Sequence, residues 1–353
     1  MGLPNINITF ATKAATAITR SQKGVVAIIL KDDNAKGAHI LTNNLKIPSG
    51  LSKDNKDYVD RTFLGYITPP KKVLLFVIGL EDELNEALTY FETQKFDYLV
   101  GPREIDTSEC QTIATWIKLQ NINGNMFKAV LPKIASDSEL IINFDTDNNK
   151  IGEDTFTAEE YCSRIAGLIA GTPMTISCTY APLAELTDVN RLNKTDMDVA
   201  IDAGKFILFH DGEKVKVGRG VNSLVTTTEG KGDAYKKIKI VEAIHMIYSD
   251  IKKTMQDSYI GKYANSYDNK CLLITAIKGY FLGLEQDGIL TAGTSSIGID
   301  LEAQENYLIS KGIDTEEMSE DDIKNANTGD KVFLTANLTI LDAIEDIELG
   351  ITI

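Results

Sequence analysis

Gly218-Arg219-Gly220 is the first place in this chain where chemistry could be written. Closely spaced glycines let a backbone approach a dinucleotide or a phosphate. A dinucleotide fingerprint needs a third glycine at position 223, where Ser223 stands, and no Gly-Lys-Ser/Thr ending of a P-loop follows. The spacing reads as a glycine-rich turn between strands. Asp145-Thr146-Asp147-Asn148-Asn149 opens like a calcium loop, but its sixth position is Lys150 instead of glycine and its twelfth is Phe156 instead of glutamate. It reads as an Asx-rich turn. No Gly-x-Ser-x-Gly elbow occurs. Cys162 or Cys178 could in principle pair with His210 or His245 as nucleophile and base. Cys162 sits mid-helix beside apolar neighbours, which is the setting of a buried structural thiol. Cys110, Cys162, Cys178 and Cys271 show no CxxC spacing, and His39, His210 and His245 are scattered, so no zinc cluster is suggested. No catalytic, cofactor-binding or metal-binding residue is therefore expected.

Lys236, Lys237 and Lys239 form a basic cluster in a chain with 36 basic and 51 acidic residues and a formal net charge of −15. They stand at the start of an expected long helix, where cations oppose the macrodipole. The cluster is either a solvated lysine face or a contact for a negatively charged partner. The acidic balance excludes the basic footprint of a direct nucleic-acid binder. No apolar run of about 18 residues is present, so no transmembrane helix is expected. The N-terminus shows no basic region followed by an apolar run, which predicts synthesis in the cytoplasm without a secretory signal.

At 353 residues the length fits two or three domains. Residues 24–30 are a near-continuous β-branched run, as in a strand buried on both faces. Residues 31–72 are polar and turn-rich, with strand candidates at 38–42 and 63–67, and are expected to be a small, mostly β insertion. From residue 73, strands (73–78, 98–100, 127–131, 140–144) alternate with helices (81–93, 110–119, 157–170). Thr157 and Glu160 open the last helix at capping-box spacing. This alternation argues a largely parallel α/β domain. A short helix at 196–203 follows, then strands 206–210 and 214–217 about Asp211-Gly212, a hairpin turn pair. Helices are expected at 236–255, 271–284 and 301–311, and a strand at 332–340. The domain boundaries predicted are 1–20 (arm), 21–72 (strand plus insertion), 73–204 (α/β), 205–345 (C-terminal domain) and 346–353 (terminal strand).

Both ends of the chain look like strands in search of a sheet. Ile347, Leu349, Ile351 and Ile353 alternate with Glu348, Gly350 and Thr352. Near the start, Ile6, Ile8 and Phe10 alternate with Asn5, Asn7 and Thr9, and an Ala/Thr-rich stretch to residue 20 reads as an arm. Each is either an edge strand of its own domain or a strand that pairs with another copy. Two such ends in one chain favour exchange between copies.

The runs Gly220-Val221-Asn222-Ser223-Leu224-Val225-Thr226, Tyr235-Lys236-Lys237-Ile238-Lys239-Ile240-Val241-Glu242-Ala243 and Tyr259-Ile260-Gly261-Lys262-Tyr263-Ala264-Asn265-Ser266-Tyr267-Asp268-Asn269-Lys270 resemble the tail sheath proteins of contractile phage tails and tail-like bacteriocins. The likeness is nearest to the short sheath proteins of Gram-positive prophages, and clearest over 200–353 and at the N-terminal arm. It implies an α/β fold (α+β overall) of several domains. These are an inner mixed α/β domain built from both chain ends, an outer α/β portion and a small β insertion, with extended terminal arms. It implies a structural subunit, not an enzyme and without cofactor, that polymerises as stacked rings around an inner tail tube protein. Contraction, triggered at the baseplate, would drive the tube through a cell envelope. The tail terminator is a further implied partner, with no membrane insertion. The setting would be a virion or tail-like particle assembled in the host cytoplasm. Ile6, Ile8 and Phe10, and Ile347, Leu349, Ile351 and Ile353, would add strands to neighbouring copies, and strand 332–340 would belong to the accepting sheet. Residues 11–20 and 341–345 would be hinges, and Lys236, Lys237 and Lys239 would face the tube. Two alternatives remain: an α/β enzyme acting on a small molecule, which needs a cleft with convergent titratable groups, and another prophage tail component, against which the length counts.

Overall fold

A computed structural model of the chain describes residues 16–20 and 24–352. It divides into two units: Gln22–His245 with Asp342–Ile353, and Met1–Ser21 with Met246–Leu341.

The first unit is built on β1 (Val25–Lys31), whose side chains feed two cores. Val26, Ile28 and Leu30 enter one apolar cluster, and Val25, Ala27 and Ile29 enter the other. A strand covered on both faces has no polar register to keep, which is why the run is unbroken. The chain continues through β2 (Gly37–Leu41), α1 (Lys53–Thr62), β3 (Lys72–Ile78), α2 (Asn85–Glu92), β4 (Tyr98–Val100), α3 (Thr107–Ile122), β5 (Lys128–Pro132) and β6 (Ile141–Phe144). A hairpin of β7 (Asn149–Ile151) and β8 (Asp154–Phe156) leads to α4 (Cys162–Ala170), α5 (Lys194–Asp202) and β9 (Lys205–Phe206). The sheet order is β2-β3-β1-β4-β5-β6-β9, parallel throughout except for β2 against β3. Tyr58 and Val59 of α1 and Ile165 and Leu168 of α4 cover one face, while Phe91 of α2 and Ile113 and Ile117 of α3 cover the other.

Residues 31–72, expected to be mostly β, contribute one strand and one helix to this sheet domain. The helix α1 is capped by Ser52, whose side chain accepts from the Asn55 amide. Its buried stripe includes Asn55, Arg61 and Thr62, so an apolar count alone passes over it. The expected strand at 63–67 is a turn. The capping box of Thr157 and Glu160 forms in both directions, at 3.0 and 3.4 Å, but it opens a 3-10 turn that precedes α4. The Asp211-Gly212 hairpin also forms, between β10 (Leu208–His210) and β11 (Val215–Val217), with a four-residue connection 211–214 in place of two.

The long helix α6 (Ile238–Thr254) starts in the first unit. Glu242 on its first turns meets Lys128 at 3.0 Å, with both side chains nearly water-free (2% and 9% exposed), and accepts from the Tyr98 hydroxyl. The second unit continues with a π turn, Met255–Tyr259, then α7 (Tyr267–Gln286), β12 (Ser296–Ile299), α8 (Leu301–Ser310), α9 (Glu320–Asn325) and β13 (Leu334–Asn337). Within it, Tyr280 on α7 donates to Asp250 at 2.7 Å, and Lys270 donates to the fully buried Gln304 of α8 at 3.1 Å. The segment 16–20 is held against this unit by Ile18, 9% exposed, by the Tyr259 hydroxyl at 3.2 Å from the Thr16 amide, and by Arg20 paired with Asp287 at 2.6 Å. β12 and β13 pair antiparallel as a two-stranded sheet.

In open parallel sheets ligands bind beyond the carboxyl ends of the strands, where the strand order reverses. Here that place lies between β1 and β4, and the chain's own side chains fill it. Asp32 accepts from the Ser52 amide (2.8 Å), the Asn34 amide (3.0 Å) and Asn55 (2.9 Å). Lys31 pairs with Glu109 at 2.6 Å, and the Tyr58 hydroxyl donates to the Gly101 carbonyl. Burial alone would raise the Asp32 carboxyl; the Ser52 and Asn34 amides and the Asn55 side chain outweigh it and bring it down to about 2. A depressed carboxyl stabilises the folded state above its unfolded pKa and loses that contribution as pH falls through its folded value.

Two outcomes follow from this scaffold. A Cβ at Gly167 would stand 2.0 Å from the Thr62 carbonyl, where α4 crosses α1. Gly167→Ala should therefore cost about 1–3 kcal/mol and lower the melting midpoint by several degrees; an unchanged midpoint would mean that the crossing is loose. Asp32→Asn should lose about 2 kcal/mol at neutral pH. It should also remove the part of the acid sensitivity that lies between about pH 4 and pH 2, measured by denaturant titration across that range. Parallel acid limbs for the two proteins would refute the assignment.

Candidate functional site

After β13 the chain returns to the first unit at Asp342, and residues 342–352 take part in no strand pairing among the described residues. The alternation at the end has no buried face: Ile347, Leu349 and Ile351 are 79%, 77% and 76% exposed. Ile353 and the N-terminal candidates Ile6, Ile8 and Phe10 lie outside the described residues. Large exposed apolar side chains in a row mark a surface meant for something else.

The root of this segment is fixed. Glu345 accepts from Arg219 Nε at 2.9 Å through one oxygen and from the Thr179 hydroxyl at 2.5 Å through the other, and its side chain is 7% exposed. The Nη2 of Arg219 binds Asp346, and Lys237 binds Asp342. Lys237 also stands 4.0 Å from Glu345. The planar fork of one guanidinium thus holds two carboxylates, a geometry that an ammonium cannot copy.

Local chain geometry delivers these groups. A Cβ at Gly220 would meet Cys178 Sγ and Ser177 Oγ at 3.0 Å, and one at Gly218 would meet the Ile207 side chain at 3.0 Å. The glycines let the 218–220 segment lie against both walls, and Arg219 between them reaches the C-terminal segment. The Gly220 amide donates to Thr179 Oγ1 at 2.9 Å, which orients the hydroxyl toward Glu345. Val221 forms an isolated antiparallel bridge with Lys237, and the Asn222 amide donates to the Lys236 carbonyl, so the chain just after Gly220 is tied to the approach to α6.

The basic cluster finds its negative partner inside the chain. Lys237 binds the C-terminal carboxylates, Lys236 pairs with Asp233 at 2.8 Å, and Lys239 is 7% exposed, its pKa lowered by burial. Asp342, which burial would raise, is instead held below the usual carboxylate range by Lys237. The role of Arg219 is not visible in local sequence, because its partners lie 126 and 127 residues away. The only available signal was the spacing of Asp342, Glu345 and Asp346 just before an apolar alternation.

Cys162, Cys178, His210, Asp145 and Asp147, weighed for chemistry, stand in structural settings. Cys162 donates to the Ala158 carbonyl and burial raises its thiol pKa; burial pushes Cys178 up to about 12. His210 accepts from the Gly212 amide inside its own hairpin. Asp147 binds Lys133 at 2.9 Å and caps Ala158, and Asp145 binds Lys205 at 2.7 Å. A cavity of about 310 Å³ beside β9 and α5 is lined by Asp145, Asn190, Asp196, Lys205 and aliphatic groups.

Comparison with known proteins identifies the family. Residues 79–223 match the family model for the phage tail sheath protein central domain, and residues 230–353 match the phage tail sheath C-terminal domain. The chain is 40% identical to a tail sheath protein of Clostridium phage phiCD119, over 99% of each. In fold it resembles the contracted helical sheath of the anti-feeding prophage (TM-score 0.74, 14% identity, covering 100% of this chain and 99% of that one). It also resembles the crystal structure of a sheath tail protein from Desulfitobacterium hafniense (TM-score 0.70, 14% identity, 84% and 94%).

Proposed function

This chain belongs to the phage tail sheath family, and from that premise we propose how its two ends carry the work. It is a tail sheath protein of the kind found in contractile injection systems, a structural component of a phage or tail-like particle. In the proposed reading, copies assembled in the host cytoplasm polymerise around an inner tube protein between a baseplate and a tail terminator. Ile347, Leu349, Ile351 and Ile353, together with Ile6, Ile8 and Phe10 of the N-terminal arm, add strands to sheets of neighbouring copies. The observation that carries this is the exposed apolar alternation after a root fixed by Arg219 and Lys237.

The accepting surface is the β12–β13 sheet. Among the described residues each of its strands pairs with a neighbour on one side only, which leaves the other edge to accept a strand. One edge takes an N-terminal arm and the other a C-terminal arm.

Magnitudes decide how such a joint behaves. Burying four branched side chains is worth roughly 6–12 kcal/mol. Ordering seven residues costs about 7–14 kcal/mol. One arm alone is therefore close to neutral, and the polymer is stable only because each subunit makes several such contacts at once. Contraction then needs no substrate turnover: the subunits move from one set of contacts to a lower one while the strands stay paired. This matches a sheet crevice already filled by Asp32, Lys31 and Glu109. The tube-facing role expected for the lysine cluster narrows to Lys236, since Lys237 anchors the arm and Lys239 is buried.

Deleting residues 347–353 should leave a folded subunit with an unchanged melting midpoint that no longer sediments as tubes. Negative-stain microscopy of concentrated full-length and truncated protein reads this directly. Normal tubes from the truncated chain would refute the strand-exchange reading.

A further inference from the structure

We infer that Arg219 is the positioning residue of the C-terminal arm: it fixes the point at which the strand leaves the subunit, and so the neighbour that the strand can reach. The inference rests on the strand-exchange reading above. Its geometry stands independently in the structure.

A flexible strand of seven residues can reach up to about 25 Å from its root in any direction. Such a strand finds one site on one neighbour only if its root is fixed. In this chain fixation occurs within the five residues 342–346 and not beyond them. Asp342, Glu345 and Asp346 are each held by a basic side chain, and Glu345 by a hydroxyl as well. Beyond that root Ile347, Leu349 and Ile351 are open to solvent. The boundary between held and free chain therefore lies at one peptide bond, next to the residue that Arg219 grips with its second nitrogen.

The chemistry suits a moving joint better than an apolar anchor would. An apolar root would itself be a sticky surface when the arm is unpaired. Carboxylates stay solvated if released, and their attraction to arginine has a defined direction. Arg219 is about one-third exposed and Glu345 nearly buried, so the grip is screened only in part by salt. The two glycines around Arg219 serve the same end, because side chains there would meet the Cys178 and Ile207 walls and push the guanidinium away from its partners.

The test uses full-length protein with Arg219→Gln, Arg219→Lys, Glu345→Gln and the double variant Arg219→Gln/Glu345→Gln. Under non-assembling conditions, cleavage after Glu345 by a glutamate-specific protease should quicken about tenfold or more in Arg219→Gln, as expected for loss of hydrogen bonds between charged groups. Hydrogen exchange in β1 and β4 should stay unchanged. At fixed protein concentration the fraction in tubes should fall by a similar factor. Arg219→Lys should be intermediate, since an ammonium can hold one carboxylate but not both. The double variant should assemble no worse than Arg219→Gln alone, as for partners in a single interaction. Faster cleavage with wild-type assembly would overturn the positioning role, because the root would then be free without consequence. Lost assembly with unchanged cleavage would overturn it too, because Arg219 would then act elsewhere. If the protein lacking 347–353 still forms tubes, the strand-exchange reading fails first, and that result is separable from any of these.

Discussion

Arg219 holds two carboxylates at once, and the free end of the chain begins where that grip stops. Much of the first unit can be understood as support for this one side chain. The sheet supplies a rigid floor, with every strand from β3 to β9 parallel and the central ones covered on both faces. Gly218 and Gly220 let the arginine's segment approach the walls. Thr179, oriented by the Gly220 amide, supplies the second hold on Glu345. Lys237, one residue before α6, adds the third carboxylate to the arrangement. Its charge would oppose the helix dipole if left alone; Asp342 answers it.

The sheet domain has the layout of many enzymes, strands alternating with helices and a crevice where the strand order reverses. Function does not follow from that layout. In that crevice Asp32 accepts from Ser52 and Asn55, and Lys31 pairs with Glu109.

Some of this was legible in the sequence, for physical reasons that can be named. The β-branched run of β1 and the period-2 alternation at the C-terminus depend only on neighbouring residues; the first is a strand buried on both faces, whereas the second forms no strand within the subunit and leaves Ile347, Leu349 and Ile351 exposed. The helices α6, α7 and α8 fall within a few residues of their apolar periodicity, with boundaries set by caps at Ser266 and Asp300. Helix α1 was lost because its buried positions include Asn55, Arg61 and Thr62, whose partners are backbone atoms and charges elsewhere in the chain. The lysine cluster was read as a solvated face or a contact for an outside partner, whereas Lys237 binds Asp342, 105 residues away in the same chain. Arg219 was seen only as part of a glycine pattern. Long-range ion pairs leave no local period, so no window on the sequence could have joined Arg219 to Glu345.

The order of the chain adds a mechanical consequence. Met246–Leu341 is a detour, inserted between His245 and Asp342 of the sheet domain. Tension on Ile347 would run through that detour if the segment after it were free. Because Asp342, Glu345 and Asp346 are clasped by Arg219 and Lys237, a load on Ile347 would pass through those two side chains into the unit of residues 22–245 and bypass the insertion. The insertion, which carries β12 and β13, stays slack while the end is pulled, until the clasp itself gives way.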